Sequence, residues 1–130
     1  TLGSPFDATL TSTSIAPLFR LVSGRDPTDE EFQVILDYNR PPPPGDIPTT
    51  SIFTKTDGIV HWRTCVERPA SNTDNIEVYA SHLGLGFSPV VHYLLAERLA
   101  VPVEEWSPFD RNQEIWRRVT FPSAGHSYGY

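Results

Sequence analysis

The chain has 130 residues, 38% of them apolar, with ten Lys/Arg against sixteen Asp/Glu and a net charge of −6. That length bounds it to one domain or part of one, and an acidic balance with no run of five basic residues excludes the electrostatic footprint of a nucleic-acid binder. The single cysteine, Cys65, excludes an internal disulfide and a zinc–thiolate cluster, and no apolar run approaches the ~20 residues of a membrane span.

Thr1-Leu2 reads as the tail of a strand, with Gly3-Ser4-Pro5 as the turn after it. Ile15, Leu18, Phe19 and Val22 then recur at helical spacing and form one apolar face. Pro17 is tolerated in the first turn of that helix, and Gly24 supplies its stop. Thr28-Asp29-Glu30-Glu31 is a capping box, in which the threonine hydroxyl and the second glutamate each satisfy an orphan amide. It opens a second short helix, with Phe32, Ile35 and Leu36 as its apolar stripe. Pro41–Pro44 end that helix and form a stiff polyproline spacer.

Ile47–Thr54 is the next expected strand, with Pro48 near its start, where a missing N–H costs least. Trp62–Val66 is expected as a short helix and Pro69–Asn72 as a loop. Ile76–Ala80 is a second strand, followed by a turn at Leu83–Phe87. Ser88 caps a helix whose first residue is Pro89, a favoured pairing. That helix is expected to run to about Ala100, with Val91, Leu94, Leu95 and Leu99 inward. Beyond Pro102 the reading is irregular chain, anchored by Trp106, Phe109 and Trp116, with Arg117-Arg118 as a surface pair.

Alternating strands and helices place the chain in the α/β class with parallel strands, about three counting the stub at Thr1. Three parallel strands cannot cover both faces and both edges of a sheet. The sheet is therefore expected to be incomplete without further chain. No methionine occurs anywhere, including position 1, which fits a processed chain or a piece of a longer one.

Two side chains carry the chemistry. Asp57 follows one strand and His82 follows the next. Asp-Gly is turn chemistry in its own right. A carboxylate after one strand and a histidine after the next also match the last two positions of a triad ordered Ser, Asp/Glu, His. His82 is followed by Gly84 and Gly86 and then by a capped helix, a setting that suits a base reaching into a cleft. His61, four residues after Asp57, lacks a third ligand at metal-site spacing. His92 is read as structural and Cys65 as an idle thiol. Gly125-His126-Ser127-Tyr128-Gly129 spells G-x-S-x-G, but Pro122 interrupts the approach and no elbow helix follows. Ser127 is accordingly not expected to be a nucleophile.

The stretches TLGSPF, TSIFTKTDGIVHWRTCVE, NIEVYASHLGLGFSPVVHYLLAERLA and EWSPF resemble the C-terminal half of an α/β-hydrolase of a bacterial lipase- or esterase-like group. The resemblance covers about half of the chain directly. It implies that residues 1–7 and 48–130 belong to a partial hydrolase core, and that residues 8–47 form a small helical cap with its Pro-rich linker. It further implies Asp57 as the triad acid and His82 as the base, with the serine and the oxyanion hole lying before Thr1. The activity implied is acyl ester hydrolysis on a small acyl or lipophilic ester, with no metal or organic cofactor and dependent on an N-terminal half. A cytoplasmic setting is the expectation from the lone cysteine. Two other readings stay open: a non-catalytic fragment or subunit that completes its sheet with a partner chain, and an acyltransferase on the same fold.

Overall fold

A computed structural model of the chain describes residues 1–5, 20, 23–26, 28, 30 and 47–124. Most of the expected cap, including its apolar stripe and the Glu31 end of its capping box, lies outside the described residues, as does Ser127. Within the cap span, Arg20 and Ser23 have helical backbone. Gly24 closes that turn at φ 73°, with its amide on the Arg20 carbonyl at 2.9 Å, a left-handed position that glycine adopts without strain. Arg20 also pairs with Asp26 at 2.5 Å.

The regular sheet has two parallel strands, β1 (Thr49–Phe53) and β2 (Thr73–Glu77), paired from Thr49 against Thr73 to Phe53 against Glu77. The expected third strand is reduced to one parallel bridge between Leu2 and Ile52. Three main-chain bonds dock it: Gly3 N–H to the Ile52 carbonyl at 2.8 Å, Ile52 N–H to the Thr1 carbonyl at 2.9 Å, and the Thr1 amine to the Thr50 carbonyl at 2.7 Å. Gly3 turns at φ 55° straight after the bridge, so the stub is too short to extend the ladder. On the other edge, Ala124 bridges Ile76 in the antiparallel sense.

Among the described residues the class is thus mixed α/β, with two strands where about three were expected. β2 also begins earlier than Ile76 and ends at Glu77. Asp74 and Asn75 look like loop residues, but both are buried strand members. Asn75 accepts the Glu67 amide at 2.8 Å and donates to the Glu67 carbonyl at 3.1 Å. Asp74 accepts the Phe109 amide at 2.7 Å. Each polar side chain serves backbone that would otherwise be buried unpaired.

After β2 the chain forms α1 (His82–Leu85) and α2 (Pro89–Ala100). Of the turn expected at Leu83–Phe87, Gly86 and Phe87 form a turn, while Leu83–Leu85 are helical from His82, where the Ser81 hydroxyl accepts the Gly84 amide at 3.1 Å. Ser88 stands at the head of α2 without a side-chain cap bond, and Pro89 occupies the first turn. A 3₁₀ turn at Val103–Glu105 and α3 (Ile115–Thr120) order the segment expected to be irregular.

Core residues lie on both faces of the sheet. Ile52, Ile76, Val78, Leu85, Val91, Leu94, Phe109 and Phe121 form one cluster. Phe53, Val60, Cys65 and Val66 form the other, with Trp62 of the 3₁₀ helix Trp62–Cys65 stacked on Phe53 at 5.9 Å. Ile52 and Phe53 point to opposite faces because strand side chains alternate. Leu99 is not inward: it is 83% exposed, lying about 140° around the helix from Leu94. Arg117 is not a surface residue, since its guanidinium pairs with Glu97 at 3.1 Å and covers the Phe109 ring at 4.8 Å. Phe109, as expected, and Phe121, rather than exposed Trp116, are buried aromatic anchors of this region. Among the described residues no helix is long and apolar enough to cross a membrane.

Candidate active site

β1 and β2 end level with one another, at Phe53 and Glu77. Two turns leave these ends side by side, and open parallel sheets place their sites at this edge. Val78 N–H reaches back to the Phe53 carbonyl at 2.9 Å and carries the pairing one step beyond the strands.

The first turn holds Asp57. Its Oδ1 accepts the amides of Ile59 and Val60, both at 2.8 Å. An aspartate that closes such a local ring fixes both the turn and its own rotamer. The carboxylate is 2% exposed. With Oδ1 filled by two donors, Oδ2 is the oxygen left to turn outward.

The second turn brings His82, the first residue of α1. Its Nδ1 lies 2.7 Å from Asp57 Oδ2. With Oδ1 accepting two amides, Oδ2 is placed to accept from Nδ1–H. In the neutral ring this leaves the lone pair on Nε2. The imidazole is 28% exposed, and among the described residues no partner meets Nε2. The two residues singled out from the sequence therefore touch, and the arrangement can orient an imidazole as a proton acceptor.

Three further residues shape the pair. Gly3 is buried against it: a Cβ there would stand 3.4 Å from Asp57 Oδ2, 3.4 Å from His82 Nδ1 and 2.9 Å from Leu85 Cδ1. The hydroxyls of Thr54 and Thr56 donate to the Ala80 carbonyl at 2.8 and 2.7 Å. Sequence reasoning passed over all three. Thr54 read as the end of a strand, Thr56 carried no reading, and the glycine read as a plain turn; only the spacing Thr-x-Thr-Asp before the acid offered a signal.

The other candidates sit elsewhere. His61 is exposed and stacks beside Trp62 at 6.2 Å. His92 Nε2 lies 3.0 Å from the Gly86 carbonyl, tying α2 to the end of α1. Cys65 is buried, and burial pushes its thiol up to about 12. Among the described residues no group of three His, Cys, Asp or Glu side chains could hold a metal ion. A groove lined by Ile47, Thr50, Leu95, Leu99, Val103 and Trp106 flanks the Thr1 edge of the sheet, and neither Asp57 nor His82 lines it. No protein-family model, curated protein or solved structure matches the chain.

Proposed function

We propose that Asp57 and His82 are the carboxylate and imidazole of a serine-hydrolase triad that cleaves carboxylic esters. The observation that carries this reading is the 2.7 Å contact between His82 Nδ1 and an Asp57 oxygen whose partner oxygen is already filled by two amides. His82 Nε2 would take the proton of a serine hydroxyl as that oxygen attacks the ester carbonyl. It would return the proton to the departing alkoxide, giving an alcohol and an acyl-serine that water then hydrolyses by the same proton route. Asp57 stays ionised, holds the tautomer and stabilises the imidazolium. The serine and the oxyanion donors would come from polypeptide preceding Thr1.

The test is turnover of a short-chain p-nitrophenyl ester by residues 1–130, alone and together with the polypeptide encoded ahead of Thr1. Turnover that needs the preceding polypeptide and disappears in His82→Ala supports the reading. Turnover by the 130 residues alone, or turnover indifferent to His82, overturns it. An acyltransferase would instead pass the acyl group to an added alcohol faster than to water. A non-catalytic subunit would bind the preceding polypeptide and give no turnover.

A further inference from the structure

The Asp57 and His82 turns diverge from the sheet with little backbone between them. Among the described residues, the last backbone hydrogen bond joining the two segments is Val78 N–H to the Phe53 carbonyl. Past it, side-chain hydroxyls take over. Thr54, buried at the end of β1, donates to the Ala80 carbonyl at 2.8 Å and accepts the Ala80 amide at 3.4 Å and the Thr56 amide at 3.3 Å. Thr56, exposed, donates to the same carbonyl at 2.7 Å. The two hydroxyls also lie 3.0 Å apart; a carbonyl oxygen has two lone pairs and each hydroxyl one proton, so when Ala80 accepts both, neither hydroxyl donates to the other.

We propose that Thr54 and Thr56 are positioning residues that lock the Asp57 turn to the His82 turn through the Ala80 carbonyl. Thr56 immediately precedes the acid, and Ala80 lies two residues before the base. The clamp therefore spans the two turns at the point where a small relative slide would lengthen the Nδ1–Oδ2 contact. An exposed threonine with only a solvated hydroxyl would have no such reach. The inference rests on reading Asp57–His82 as an acid–base pair.

The experiment compares Thr56→Val and Thr56→Ser in the full-length protein with ¹⁵N-labelled histidine. The His82 Nδ1–H resonance is identified by its loss in His82→Gln. Loss of this exposed hydrogen bond is expected to speed solvent exchange of that proton about three- to tenfold in Thr56→Val. It should lower kcat for a p-nitrophenyl ester by a similar factor with KM unchanged. Thr56→Ser, which keeps the hydroxyl, should restore both, and the unfolding midpoint should stay put. Wild-type exchange in Thr56→Val, or a defect that serine fails to restore, overturns the clamp. If Asp57→Asn leaves the exchange slow, the pairing itself is wrong. If exchange responds as expected and no variant affects ester turnover, the clamp stands and the hydrolase reading falls.

Discussion

Gly3 fits beneath His82 because it has no side chain: a Cβ at Gly3 would stand 3.4 Å from His82 Nδ1. The same Cβ would press on Leu85 Cδ1 at 2.9 Å, and the residue holds φ at 55°. Alanine there meets both a crowded site and a left-handed backbone that costs an L-residue about 1–2 kcal/mol. Gly3→Ala is expected to destabilise the fold by about that amount and to separate the Asp57 and His82 side chains. Denaturant unfolding checks the first effect, and the exchange rate of the His82 Nδ1–H checks the second.

Asp57→Asn keeps the size of the side chain and an oxygen for the Ile59 and Val60 amides. It places an NH₂ group where Oδ2 met Nδ1. Two donors then face one another, and the ring must adopt the other tautomer. If the pair works as proposed, kcat of the full-length enzyme falls by about 10³–10⁴-fold. Stopped assays with a p-nitrophenyl ester measure this directly.

Cys65 is expected to resist alkylation in the folded chain. Burial lifts its thiol to about 12, so at pH 8 the reactive thiolate is on the order of 10⁻⁴ of the population. Iodoacetamide should leave it unmodified under native conditions and label it in denaturant, with mass spectrometry as the readout. Rapid labelling of the native chain would mean that the layer formed by Phe53, Val60 and Val66 opens readily.

Phe121 is fully buried and meets Phe109 edge-on, with ring centroids 4.8 Å apart. Phe121→Ala should remove about 3–5 kcal/mol of stability, from lost burial together with the cavity left behind. Val119→Ala, at a position 74% exposed on the preceding helix, is expected to change stability by no more than about 0.5 kcal/mol. Parallel urea titrations of the two variants provide the check.

Where the sequence was legible, local rules and burial agreed. β1 and α2 follow from an apolar strand run and from a Ser-Pro helix start, and Asp57 and His82 follow from their places after two strands. Legibility failed where tertiary contacts overrode composition. Asp74 and Asn75 sit inside β2 because distant amides at Phe109 and Glu67 need acceptors. Ile115–Thr120, with β-branched and aromatic residues, is helical although no side chain caps it. Arg117 anchors it by pairing with Glu97 of α2. Gly3 belongs to the site through contacts with residues far along the chain, which no local pattern encodes.

The two amides on Asp57 Oδ1 have an energetic consequence for proton transfer. They hold the carboxylate plane whether the neighbouring ring is neutral or charged, because neither Ile59 N–H nor Val60 N–H depends on His82. A proton arriving at Nε2 would therefore place positive charge beside a negative group already aligned to receive it. Water would have to rotate its dipoles to offer the same solvation, at a reorganisation cost this turn has already met during folding.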